Sequence, residues 1–143
     1  MSHSITGRFK ENLVRQLVYF DENASELLDA LPNTGVRQTM DDLLRRYCRE
    51  VRRFMDGHGE EGPDTIVWIG SRVTIRNDTD LIDEELTIVL PNDADPFESR
   101  ISFLSPVGQC LLLSRPGCSA EVDTPGGKYR LTVRKTAYAV QSE

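Results

Sequence analysis

Hydrophobic positions change their period once along the chain, at Gly57-His58-Gly59-Glu60-Glu61-Gly62-Pro63, the most flexible-looking segment. Before it, Leu13, Leu17, Phe20, Ala24, Leu27 and Leu31 follow one another at alternating spacings of four and three, the stripe of a helix packed lengthwise against a partner helix. Met40, Leu44, Tyr47, Val51 and Phe54 repeat that alternation. Between the stripes lies Pro32-Asn33-Thr34-Gly35, where proline stops one helix and Asn33 or Thr34 can cap the next, with Thr39 and Asp42 as a second capping box. So short a connection forces the helices antiparallel. The pattern predicts an αα-hairpin, a short coiled coil, over about 9–31 and 36–56.

Beyond Pro63 the apolar runs are short, β-branched and separated by turn residues: 66–69, 73–75, 86–90, 101–104, 120–122 and 129–133. Such segments read as strands. Val107 to Leu113 reads as a helix of one or two turns, with Ser105 as its cap and Pro106 at its first position, and Pro125-Gly126-Gly127 turns a hairpin. The expected fold class is α+β: a helical hairpin over 1–58 followed by a largely antiparallel sheet domain of five or six strands with one short helix over 64–143.

Composition narrows the class. The chain has 143 residues, 38% hydrophobic and 28% charged, which suits one sizeable core, or one small core with a simple appendage, and argues against disorder throughout. No apolar run approaches the length that crosses a bilayer, and the N-terminus lacks a basic region followed by an apolar one. A soluble, unexported, cytoplasmic protein is expected. Three scattered cysteines, Cys48, Cys110 and Cys118, make no disulfide framework and suit a reducing setting. A net charge of −6 argues against tight direct binding to a nucleic-acid backbone; the expected partner is a protein or a small molecule. Most of that charge belongs to the second part, where Asp78, Asp80, Asp83, Glu84, Glu85, Asp93, Asp95 and Glu98 fall within 77–99 without an intervening Lys or Arg. Turn solvation accounts for much of this run, and a negative patch that steers a basic partner is the functional alternative.

Catalytic chemistry is sparse. His3 sits near the terminus and His58 in the linker, so neither is placed as a general base, and neither histidines nor cysteines show metal-ligand spacing. No glycine-rich phosphate loop is present. No catalytic residue, cofactor or metal is assigned. Arg45, Arg46, Arg49, Arg52 and Arg53 crowd the second helix toward its C-terminal end. Helix-dipole complementarity and a solvated face explain such a cluster, and a partner-docking patch on Arg45, Arg49 and Arg52 is the alternative.

From Val67 to Tyr138 the second part resembles the C-terminal domain of the GreA/GreB transcript-cleavage factor family, including its short Rnk-like members. The resemblance is carried by Ile69-Gly70-Ser71-Arg72-Val73-Thr74-Ile75, Asn92-Asp93-Ala94-Asp95, Ile101-Ser102-Phe103-Leu104-Ser105-Pro106-Val107-Gly108, Leu111-Leu112 and Val122-Asp123-Thr124-Pro125-Gly126-Gly127, in that order and after a helical hairpin. It implies an FKBP-like sheet domain that docks on the rim of the secondary channel of RNA polymerase while the coiled coil points into the channel. Carried over, it puts Asp93, Asp95, Ser105 and Pro106 at the polymerase interface; helix capping alone is the structural reading of the last two.

The departure from the family lies at the hairpin tip. Gre factors hold an acidic pair there, which helps the polymerase bind its second Mg²⁺ and hydrolyse nascent RNA. Here the tip reads Ala30-Leu31-Pro32-Asn33-Thr34-Gly35-Val36, with Asp29 before it and Asp41 and Asp42 beyond it. The resemblance with this departure implies a non-catalytic transcription regulator that occupies the secondary channel. The alternative is a Rnk-like adaptor for a metabolic enzyme such as nucleoside diphosphate kinase. Prolyl isomerisation, the third reading, rests on fold analogy alone.

Overall fold

The computed structural model describes residues 2–139, with side chains from Gly7 onward; the side chain of His3 therefore lies outside the described residues. The chain divides into two compact units, Met1–Glu60 and Glu61–Glu143.

The first unit is the hairpin. Helix α1 spans Ser2–Asp29 and α2 spans Thr34–Met55, so α1 begins earlier than its apolar stripe suggests. Phe9 meets Phe54 edge-on at 4.8 Å and Phe20 meets Tyr47 at 6.3 Å, which sets the two helices antiparallel. The buried column of α1 is Phe9, Leu13, Gln16 and Phe20, facing Met40, Leu43, Leu44, Tyr47 and Val51 of α2. Leu17, Ala24, Leu27 and Leu31 are only half-buried, because two helices alone cover a narrow strip of each other. Asn33 caps α2, its side-chain oxygen accepting from Val36 N at 2.9 Å. Thr39 is no cap: its hydroxyl donates to Gly35 O at 3.0 Å within the helix. At the other end Gly57, with φ 76°, takes the left-handed position that ends α2, and the amides of His58 and Gly59 both bond Arg53 O.

The second unit is a five-stranded sheet. Its strands are β1 (Ser71–Asn77), β2 (Ile82–Val89), β3 (Arg100–Ser102), β4 (Ser119–Thr124) and β5 (Gly127–Tyr138), in the order β3-β2-β1-β5-β4. All neighbours pair antiparallel except β2 with β3. Strand β5 pairs on both sides and changes phase midway: Leu131 and Val133 are buried, then Thr136 and Tyr138. Arg134 is the extra residue, and the register shift opposite Thr74/Ile75 marks the bulge it makes.

Residues 66–69, expected as a strand, belong to no strand. Ile66, Val67, Trp68 and Ile69 are buried as irregular chain. Val67 exchanges backbone bonds with the segment after the short helix, its amide to Ser114 O at 2.9 Å and its carbonyl from Leu113 N at 2.8 Å. The Trp68 indole donates to Gly62 O at 2.8 Å, and Glu61 pairs with Arg115. Those contacts fasten 61–69 to the sheet unit, so the second unit begins before Pro63. Helix α3 (Pro106–Leu111) lies between β3 and β4 in the chain.

Candidate functional site

Strand β3 organises the residues singled out on the sheet unit. On its N-terminal side come two single 3₁₀ turns, Pro91–Asp93 and Pro96–Glu98, both packed against β3. Each opens with proline, whose fixed φ and missing amide suit the first position of a helical turn. Asp95 and Arg100 exchange backbone bonds at 2.9 and 3.0 Å, pinching the second turn shut. The Asp95 carboxylate accepts from Phe97 N at 3.1 Å, so its first role is that of a cap. Asp93 is exposed.

On the C-terminal side of β3, Ser105 starts α3. Its hydroxyl donates to Ser102 O at 2.8 Å and accepts from Gly108 N at 3.0 Å. The capping function expected of Ser105 is thus occupied on both sides, and Pro106 is the member of the pair whose ring lies exposed. Gln109 Nε2 donates to Leu104 O at 2.7 Å and ties the helix back to the chain before it. The fold thus places Asp93 and Asp95 before β3, and Ser105 and Pro106 after it.

The acidic run is corrected by the strand beside it. Counter-charges come from β1: Arg76 lies opposite Asp83 in register and pairs with it at 2.7 Å, and Arg72 approaches Glu85 at 3.8 Å. The Arg76 hydrogen bond holds the Asp83 carboxyl below its ordinary range. Asp78 accepts from the Thr132 hydroxyl at 2.9 Å, and Asp80 caps Ile82 N at 3.1 Å. Asp93 and Glu98, both exposed, form no ion pair among the described residues. Of the eight acids, only Asp83 and Glu85 face a cationic partner among the described residues; Asp78, Asp80, Glu84, Asp93, Asp95 and Glu98 keep the negative surface.

Arg45, Arg49 and Arg52 lie on α2 in the first unit, all exposed, and with Arg46 and Arg53 they span an arc of about 120° at 100° per residue. Arg45 pairs with Asp41 at 3.0 Å one turn earlier, which raises its pKa. Arg46, Arg49, Arg52 and Arg53 form no ion pair among the described residues.

At the tip, Asp29 ends α1, and Arg37 Nε donates to Leu28 O at 3.1 Å. The acids past the tip are engaged, Asp41 with Arg45 and Asp42 with Gln38 Nε2 at 3.1 Å. No cluster of His, Cys, Asp and Glu among the described residues could hold a metal ion, and no helix of the described residues is long and apolar enough to cross a membrane. Burial pushes the Cys48 and Cys110 thiols up, away from the thiolate that reactive cysteines need. A polar cleft of about 200 Å³ lies along β2 and the turn before β3, lined by Arg72, Glu85, Glu98 and Arg100, below the roughly 300–1,000 Å³ of small-molecule sites. Trp68 and Phe103 are fully buried, so neither presents its ring to a prolyl peptide.

Sequence reasoning missed Phe97. An aromatic beside a proline turn reads as a core residue, yet this one is 96% exposed.

A helical hairpin followed by a curled five-stranded sheet with one capped short helix defines the class of protein: a two-unit α+β chain. The model of the GreA/GreB transcription elongation factor C-terminal domain matches residues 62–138. The chain belongs to the GreA/GreB family. Transcription elongation factor GreA of Roseiflexus castenholzii is 45% identical over 74 residues, which cover 52% of this chain and 47% of that protein. GreA of Chloroflexus aurantiacus is 42% identical over 97 residues, 65% of this chain and 62% of that one. The chain spans about half the length of the first of these relatives. Among solved structures, a GreA/GreB elongation factor from Nitrosomonas europaea superposes with a TM-score of 0.60 and 28% identity, covering 88% of this chain and 93% of that one.

Proposed function

We propose that this protein is a non-catalytic transcription regulator that binds RNA polymerase at the secondary channel. The observation that carries the reading is a hairpin tip without carboxylates from 30 to 36, on a chain whose sheet unit matches the GreA/GreB C-terminal domain. The sheet unit supplies the docking surface through Asp93, Asp95 and the Ser105-Pro106 helix start. Asp95 and Ser105 shape that surface, since their side chains are committed to the backbone at Phe97 and at Gly108, while Asp93 and Pro106 present themselves outward. The hairpin acts by occupancy. Helix α1 has 28 residues and α2 has 22, about 42 and 33 Å of rigid rod at 1.5 Å rise per residue. With Asp41 and Asp42 engaged along α2, the rod offers no acidic pair at its apex to hold a second Mg²⁺ for the polymerase.

Two assays test this. The full chain should co-purify with core RNA polymerase at low salt and lose that association on Pro106→Ala combined with Asp95→Arg; absence of any association sinks the reading. Added to a backtracked elongation complex, the chain should leave the RNA at full length, and shortened RNA would show that it cleaves after all.

The exposed arginines of α2 favour a second reading, an adaptor that docks an acidic metabolic enzyme such as nucleoside diphosphate kinase. Charge reversal of Arg45, Arg49 and Arg52 separates the two: it should abolish an adaptor's binding and leave polymerase docking through the sheet unit in place.

A further inference from the structure

We propose that Phe97 is the anchor of the docking surface, a rigidly presented aromatic that seats in an apolar socket rimmed by basic residues on the polymerase. This rests on the polymerase reading above and adds the residue that supplies its affinity.

Phe97 is 96% exposed, while the other large apolar side chains exposed among the described residues reach at most 64%, at Leu81. Nothing in its own unit covers the ring, yet the chain around it is heavily constrained. Asp95 and Arg100 exchange two backbone bonds across the turn. Pro96 fixes its own φ, the Asp95 carboxylate holds Phe97 N at 3.1 Å, and Glu98 N bonds Asp95 O at 3.0 Å. Ser99 closes the turn in the left-handed region with φ 55°, which a non-glycine residue enters only when its surroundings enforce it. A turn fixed at this many points gives up little conformational entropy on binding. Buried aromatic anchors surrounded by a ring that excludes water are what carry most of the energy of protein interfaces.

Charge identifies the partner. Asp93 and Glu98 flank the aromatic, both exposed and outside any ion pair among the described residues. Although Arg100 and Arg72 line the cleft beside Glu98, Asp93, Asp95 and Glu98 outnumber Arg100 within 91–100, so the proposed socket carries Lys or Arg at its edge to complement them. The same carboxylates repel an anionic lipid surface.

Binding of the full chain to core RNA polymerase, measured by fluorescence anisotropy at two salt concentrations, tests the assignment. Phe97→Ala should weaken binding about tenfold or more, Phe97→Trp should restore it, and Glu98→Lys should weaken it most at low salt. Because the ring touches almost nothing in the folded chain, circular dichroism should be unchanged in all three. If the native chain binds and Phe97→Ala binds within about twofold of it, Phe97 is no anchor while the polymerase reading stands. A native chain that fails to bind at either salt overturns that reading and the socket with it. Should sedimentation of the chain alone show a dimer that Phe97→Ala dissolves, the occupant is a second copy, which overturns the basic-rimmed socket.

Discussion

Tyr47 of α2 donates its buried hydroxyl to the Oε1 of Gln16 on α1, so a polar contact lies inside the apolar seam of the hairpin. Tyr47 is 0% and Gln16 6% exposed. The two residues lie far apart in the chain and meet at one alignment of the helices, so their bond fixes register in a seam that Leu and Met side chains alone would leave free to slide. Gln16→Leu removes that acceptor and should cost about 0.5–1.5 kcal/mol, the usual net contribution of one hydrogen bond. Tyr47→Phe added to it should cost little more through this contact, because the bond is already gone. Urea denaturation of the two single variants and the double variant, read as a cycle, checks this. Additive losses would mean that the bond contributes nothing.

Gly108 is the point where α3 touches the chain that leaves β3. A Cβ placed there would lie 2.8 Å from Phe103 Cα and closer still to Ser102 O, the same carbonyl that receives the Ser105 hydroxyl. Gly108→Ala must push α3 off its seat. It should cost about 2–3 kcal/mol, and under the docking proposed above it should also weaken binding to polymerase. Gly126→Ala is the control, since its nearest neighbour would be Thr124 Oγ1 at 3.8 Å. Thermal unfolding of both variants should separate them.

Elements governed by local chemistry were legible in the sequence. The Asn33 cap and the Ser105-Pro106 start of α3 each follow from residues within four positions of one another, the period break from spacings local to either side of 57–63, and both caps stand where that chemistry puts them. What depends on distant pairing was not legible. Residues 66–69 carry a strand's composition, but Val67 makes its backbone bonds with Leu113 and Ser114, some 46 residues on, rather than in a ladder. The acids of 77–99 looked unopposed because Arg72 and Arg76 precede the run and reach it only across the β1–β2 ladder. Periodicity favours Leu17 over Gln16 because it ranks residues by polarity, whereas Tyr47 makes a buried glutamine the better fit. At the candidate site, the caps were readable and the exposure of Phe97 was not, since an aromatic's environment is decided by what folds over it.

Thr136 offers a way to stabilise the sheet. It lies opposite Val73 on the core side of β5, is 5% exposed, and its hydroxyl has no hydrogen-bond partner among the described residues. Valine has the same shape without the polar atom. Thr136→Val should raise stability by about 1 kcal/mol, seen as a higher midpoint in urea with an unchanged slope. A lower midpoint would mean that the hydroxyl is satisfied.

Glu61 and Arg115 make the start of the sheet unit sensitive to acid. The Glu61 side chain is 12% exposed and pairs with the guanidinium of Arg115, whose hydrogen bond pulls the carboxyl below its ordinary value of 4.5. A carboxyl lowered in the folded state stabilises above its unfolded pKa, and that contribution is lost as pH falls through the folded value. Arg115→Met should therefore cost stability at neutral pH, roughly 0.5–1 kcal/mol for a pair with one exposed partner. The gap between variant and native protein should close as pH falls below about 4.5. Asp83 titrates in the same direction in both proteins, so the comparison isolates the Glu61 pair. Chemical denaturation from pH 7 to pH 3 measures the gap, and one that held constant across that range would show that Arg115 acts through packing instead.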